Sequence, residues 1–139
     1  MQTVITNSVE ETIQLGLEFG SKLKGGEVIE FVGDLGAGKT SFMRGLAEGL
    51  NSEDSVSSPT FTLSNIYSGR DNLQIHHFDF YRLSSEPGLI SEQLKEAISD
   101  PENIICVEWA ESVHGILPKN RITIQITAPT EETREFKFS

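Results

Sequence analysis

Apolar residues recur along this chain with two periods, and the switches between them mark out its elements. From residue 9 to residue 23 the spacing is helical, with Ile13, Leu17, Gly20 and Leu23 or Lys24 on one side. Ser8 opens that stretch as S-V-E-E, a capping box in which the Ser8 hydroxyl caps the first turn and Glu11 reaches back. Gly25 and Gly26 end the helix. Glu27 to Val32 reads as a short strand. Lys39 to Leu50 is helical again, with Phe42, Met43, Leu46, Ala47 and Leu50 on one side. TFTLSNIY (60–67) and NLQIHHFDF (72–80) are rich in β-branched and aromatic residues, and SGRDN between them makes a turn, so a hairpin is expected. Ile90 to Ile98 reads as a helix closed by Asp100 and Pro101, and ENIICVEW (102–109) as a buried strand. RITIQIT and TREFKF form a final pair of strands around Ala128, Pro129 and Thr130. No repeat, low-complexity stretch or linker interrupts this order, which predicts one mixed α/β domain over residues 1–139.

Composition narrows the function classes. A chain of 139 residues with 37% hydrophobic residues suits one core. Its longest apolar stretches run to about half a dozen residues, too short to span a bilayer. The N-terminal MQTVITNSVEET has no basic segment followed by an apolar run, so no secretory signal is read there. Cys106 is the single cysteine, which excludes a disulfide framework and fits a reducing compartment. The formal charge is −10, from 21 acids against 11 bases. That balance opposes direct binding to a nucleic-acid backbone and favours a partner with a basic surface.

The chemistry begins after EVIEFV. Gly33, Gly38, Lys39 and Thr40 satisfy G-x-x-x-x-G-K-[ST], with Gly36 as a further glycine, between an expected strand and an expected helix. Glycines let backbone N–H groups close around phosphate oxygens without a Cβ in the way. The following helix adds the partial positive charge of its N-terminus. On this reading Gly33, Asp34, Leu35, Gly36, Ala37, Gly38, Lys39, Thr40 and Ser41 cradle the phosphates, Lys39 supplies a cation to the β- and γ-phosphates, and the Thr40 hydroxyl goes to Mg²⁺. A phosphate loop also needs an acid to hold magnesium or orient the attacking water. Asp79 in HHFDFYR and Glu108 at the end of IICVEW are the two candidates. In SSPTF, Pro59 restrains Ser58 and leaves Thr60 on a short stiff segment, either an ordinary turn entering a strand or a switch threonine that reaches Mg²⁺.

GDLGAGKTSFMRGL, SSPTFTL, HFDFYRL and VEWAE, in that order and over nearly the whole chain, resemble the TsaE family. These are small bacterial P-loop ATPases of tRNA threonylcarbamoyladenosine synthesis. The resemblance implies an α/β, P-loop NTPase-like fold, with a central, largely parallel sheet, antiparallel additions and helices on both faces. It implies a cytoplasmic ATPase, using ATP and Mg²⁺, that works with two partner proteins, TsaB and the transferase TsaD. ATP turnover in that family supports repeated cycles of the complex rather than making the threonylcarbamoyl-adenylate. By the same resemblance Lys39, Asp79 and Glu108 are the catalytic candidates, and Thr40, Thr60, Asp79 and Glu108 the metal candidates. Asp79 is taken as a magnesium ligand and Glu108 as the acid that orients water or completes the metal shell, a division the sequence does not fix. The H-x-D-x-Y-R block falls on His77, Asp79, Tyr81 and Arg82. Ser41 stands where a second threonine is common, and residues 84–93 match only loosely.

Two other classes share the loop: a small-molecule kinase and a nucleotide-sensing module with negligible turnover. A kinase usually needs a lid that brings arginines over the phosphates, whereas Arg44, Arg70, Arg82, Arg121 and Arg134 are scattered. No N-K-x-D element reads guanine, which favours ATP. Slow hydrolysis alone, changed by partners, is expected, with tRNA reached through those partners. His76 and His77 are adjacent in a strand and so face opposite sides, which argues against a two-histidine metal site. Trp109 either lies near the nucleotide or packs in the core. Arg82 is either a charge stabiliser, a partner contact or an ordinary salt bridge. Glu131 and Glu132 read as a solvated turn.

Overall fold

A computed structural model of the chain describes residues 2–33, 37–56, 64–80 and 87–139. Its elements are β1 (Gln2–Thr6), α1 (Val9–Ser21), β2 (Val28–Gly33), α2 (Ala37–Gly49), β3 (Ser64–Ser68), β4 (Gln74–Asp79), α3 (Pro87–Ser99), β5 (Asn103–Glu108), β6 (Ile122–Thr127) and β7 (Arg134–Phe138). All but one lie where the periodicity predicts. The exception is β1, a mostly exposed strand whose pairing partner is at the far end of the chain: Gln2 lies opposite Phe138 and Thr6 opposite Arg134.

The strands form one sheet in the order β1-β7-β6-β2-β5-β4-β3. β6, β2, β5 and β4 are mutually parallel; β7 pairs antiparallel with β6 and β1 antiparallel with β7 on one side, and β3 pairs antiparallel with β4 on the other. This is the expected parallel centre with antiparallel additions. The chain leaves β2 toward β3 and β4 on one side, and leaves β5 toward β6 on the other. Such a divergence opens a crevice at the carboxyl ends of the two central strands.

Alternation along the strands divides the core in two. Ile29 and Phe31 of β2, Ile75 of β4, and Ile104 and Cys106 of β5 face α1 and α2, where Phe42, Met43, Leu46 and Leu50 meet them. Phe42 is fully buried, with the Phe136 and Phe31 rings 5.4 and 5.9 Å away. Val28, Phe78, Ile105 and Val107 face the other way, onto Leu94 and Ala97 of α3 and onto Ala110, Val113 and Leu117. Helices therefore cover both faces. Among the described residues no helix is long and apolar enough to cross a membrane.

The contact that fixes α2 is made by glycines. The buried positions of α1 are Thr12, Gly16 and Gly20; of the side that the periodicity marks, Gly20 is buried while Ile13 and Leu17 are half-buried. A Cβ on Gly16 would lie 2.2 Å from Phe42 O, and one on Gly20 2.3 Å from Leu46 O. In return, a Cβ on Gly45 would lie 2.0 Å from Ile13 O, and one on Gly49 2.3 Å from Leu17 O. Two glycine pairs, each spaced by four residues, let the helix backbones touch.

The start of α1 and the C-terminal ends of both helices are capped. Ser8 Oγ accepts from Glu11 N (3.1 Å), and Glu11 reaches back one residue further than a simple box, accepting from Asn7 N (3.0 Å). At the other end Arg70, on the β3–β4 turn, donates to Gly49 O (2.9 Å), Leu23 O (2.6 Å) and Ser21 O (3.2 Å). One guanidinium thus serves the carbonyls at the C-terminal ends of α1 and α2, where cations are favoured.

Candidate functional site

Gly33 ends β2 at φ +111°, and a Cβ there would lie 2.3 Å from Ile126 O of β6. Only glycine meets both demands, so the chain turns out of the sheet at this residue. The next described element is α2, whose first turn carries Gly38, Lys39, Thr40 and Ser41. The N–H groups of a first turn have no intrahelical acceptors and point toward whatever lies ahead of the helix. Asp34, Leu35 and Gly36 lie outside the described residues, as do Ser58, Pro59, Thr60, Phe61, Tyr81 and Arg82.

The two acids are brought together by strand register. β4 and β5 run parallel with His77 beside Cys106 and Asp79 beside Glu108. Asp79 and Glu108 are the last residues of their strands and share the face that carries α2. Lys39 comes to them from above: its Nζ is ion-paired with Glu108 Oε1. On the other side His77 Nε2 is hydrogen-bonded to Glu108 Oε2. Lys39, His77 and Glu108 are 7, 3 and 3% exposed, so the cluster is dry. Burial pushes the Glu108 carboxyl up, but the hydrogen bond and field of His77, with those of Lys39, outweigh it and hold the group below the ordinary carboxylate range. Cys106, beneath, is an inert thiol: burial first, then the nearby Glu108 charge, push it far up.

The segment after Glu108 is constrained. Trp109 takes a left-handed backbone (φ 56°, ψ 53°), a costly state for a bulky residue. It packs partly against the α3-side core. A 3-10 turn (Ala110–Val113) follows, and then His114 Nε2 meets Glu30 Oε2 at 2.7 Å. Glu30 is a buried carboxylate on β2 that also accepts from Arg121 Nε at 2.8 Å. Its burial raises the group, and Arg121 and His114 more than reverse that. This second ion cluster lies on the opposite face of the sheet and ties the chain beyond Glu108 to the strand that leads into the loop.

A cavity of about 280 Å³ adjoins the start of α2, lined by Asn7, Ser8, Thr12, Gly38, Ser41 and Arg134 among others. The Arg134 stem lies over Gly38, where a Cβ would be 3.2 Å from Cδ, and its Nη1 donates to Thr133 O (2.8 Å), Glu131 O (3.2 Å) and Thr130 O (3.3 Å). Glu131 and Glu132 are exposed, as expected of a turn, and they also line this cavity. Sequence reasoning missed the Lys39–Glu108 pair, expected His77 to hydrogen-bond near the site or pack there without naming Glu108 as its partner, and missed the place of Arg134. The period of two that puts His77 and Asp79 on one face was the available signal for the second. Nothing local announces the third.

A sheet with a parallel centre, whose central β2 ends on a positive-φ glycine ahead of the N-terminus of α2, defines an α/β, P-loop-like fold. The model of the family described as "Threonylcarbamoyl adenosine biosynthesis protein TsaE" matches residues 6–136. The chain belongs to that family. It is 35% identical over 131 residues to the tRNA threonylcarbamoyladenosine biosynthesis protein TsaE of Treponema pallidum, covering 94% of this chain and 95% of the relative. It is 36% identical over 135 residues to that of Bacillus subtilis, covering 96% and 82%. The crystal structure of Bacillus subtilus YdiB superposes with a TM-score of 0.77 at 32% identity, covering 99% of this chain and 83% of that one.

Proposed function

We propose that this chain binds ATP with Mg²⁺ at Gly33–Ser41 and hydrolyses it slowly, in support of threonylcarbamoyladenosine formation in tRNA. The observation that carries this reading is the dry cluster of Lys39, Glu108 and His77 at the first turn of α2, with Asp79 in register beside it. Helix amides and a lysine suit a phosphate chain. The cavity beside Gly38 and Ser41 offers room for the nucleoside part.

Among the described residues no group of three or more His, Cys, Asp or Glu could hold a metal by itself. Mg²⁺ does not require one: it keeps waters and takes one or two carboxylates plus phosphate oxygens. The Thr40 hydroxyl and the Asp79 carboxylate are hard oxygen donors of that kind, and Thr60 is proposed with them from the sequence. When bound, the ion would neutralise phosphate charge. The chain's own groups do the rest. Amides of the loop and first turn orient the phosphates, Lys39 turns from Glu108 to them, and Glu108 is released to accept a hydrogen bond from water.

The partners proposed are TsaB and TsaD. A chain of net charge −10 is a poor binder of polyanions, so the tRNA is held by the partners and this chain docks on them. The decisive experiment is reconstitution. Threonylcarbamoyladenosine should accumulate over many turnovers only when this chain and ATP–Mg²⁺ are both supplied with TsaB and TsaD. Equal yield without the chain would refute the role.

Substitution of the acids separates their work from binding. Glu108→Gln and Asp79→Asn are expected to lower hydrolysis by about 100-fold or more while ATP affinity stays within about tenfold. Calorimetry and phosphate release measure the two. Parallel loss of both would mean that the acids serve structure.

A further inference from the structure

Glu108 is held from two sides, and on the ATP reading one of those holds is temporary. Lys39 has a second employment at the phosphates; His77 has none. A carboxylate only accepts, so His77 Nε2 carries the hydrogen and donates it to Oε2. The other ring nitrogen, Nδ1, is buried and meets no hydrogen-bond partner among the described residues. A histidine buried only to brace a core satisfies both nitrogens as a rule. This one leaves Nδ1 without a bond and directs Nε2–H at the acid of the site. Its place is fixed by the strands: His77 sits beside Cys106, one step of the side-chain alternation below the Asp79–Glu108 pair.

We propose that His77 is a positioning residue, which keeps the Glu108 carboxylate aimed at the loop when Lys39 moves to the phosphates. With Oε2 anchored, Oε1 is left facing the space Lys39 vacates. Without the anchor, the freed carboxylate turns among several rotamers, and a reacting water loses its acceptor in most of them. This rests on the ATP reading and adds to it the residue that makes Glu108 competent.

The test uses the whole chain with three variants. His77→Phe keeps a ring in the slot without a donor, His77→Asn keeps an amide too short to reach Glu108, and His77→Gln carries an amide N–H to about the place of Nε2. ATP–Mg²⁺ affinity by calorimetry, single-turnover hydrolysis with protein in excess, and the unfolding midpoint are read for each. For His77→Phe and His77→Asn, affinity is expected within about threefold of wild type and hydrolysis about 10–100-fold slower, the usual penalty for removing a support behind a reactive group. His77→Gln should recover hydrolysis to within about fivefold. If His77→Phe does not fold, the contrast between Asn and Gln decides. The inference is overturned if a folded variant without the donor keeps wild-type hydrolysis, or if Gln falls as far as Asn in rate, affinity and midpoint together. A wild-type chain that gives neither heat nor turnover with ATP–Mg²⁺ removes the nucleotide reading first, and the inference with it.

Discussion

Lys39→Ala is expected to lower ATP–Mg²⁺ affinity by about 100-fold or more, or about 2.7 kcal/mol, and to abolish measurable hydrolysis. The size follows from the loss of charge-assisted bonds in a site shielded from water. The same change has a second effect that the sequence alone does not suggest. Lys39 is the ion-pair partner of a carboxylate only 3% exposed, and removing it leaves Glu108 with His77 alone. Breaking a buried pair from one side costs about 3 kcal/mol. The single variant should therefore be less stable as well as unable to bind. Lys39→Ala with Glu108→Gln should regain most of the stability and none of the affinity, because the orphaned charge is gone and the phosphate contact is still missing. Urea denaturation and calorimetry on both variants check this. Affinity of the single variant within about threefold of wild type would remove Lys39 from the binding site.

Gly45→Ala should be the most damaging added methyl group within the α1–α2 contact. Its Cβ would lie 2.0 Å from Ile13 O, 2.8 Å from Ile13 C and 2.9 Å from Leu17 N, all backbone atoms that no rotamer change can move. Overpacking usually costs about 1–3 kcal/mol, and a clash with a facing helix backbone belongs at or above the top of that range. Alanine's better helix propensity returns about 1 kcal/mol. A net loss of about 3 kcal/mol is expected, lowering the thermal midpoint by about 10 °C in a domain of this size. Gly115→Ala is the control: nothing lies within 4 Å of a Cβ there, and its midpoint should stay within about 2 °C. An unchanged midpoint for Gly45→Ala would mean that α1 and α2 do not pack as closely as described.

Much of the site is legible in the sequence because its parts are local. The G-x-x-x-x-G-K-T octet carries strand, turn and helix start in consecutive residues, and IICVE delivers an acid at the end of an apolar run. What joins these parts is not local. Lys39 and Glu108 each announce a role toward a nucleotide, and neither announces that the two hold each other. That follows from β5 lying next to β2, which only the sheet order reveals. The same holds for β1, whose residues are mostly exposed and whose reason for being a strand is β7. In α1 the period points to Ile13, Leu17 and Gly20; Gly20 is buried in the contact and the Ile13 and Leu17 carbonyls meet Gly45 and Gly49, while Gly16 goes unmarked. A glycine carries almost no hydrophobic signal, so periodicity finds the helix and only part of its inner face.

That glycine contact has a consequence for how the site works. Two helices meshed backbone to backbone act like a pair of toothed racks: neither rolls nor slides without lifting off the other. The amides at the mouth of α2 are therefore a fixed anvil. On the ATP reading proposed above, the reach to a phosphate has to come from an arm mounted on it, and the arm available is Lys39, four methylenes long and paired here with Glu108.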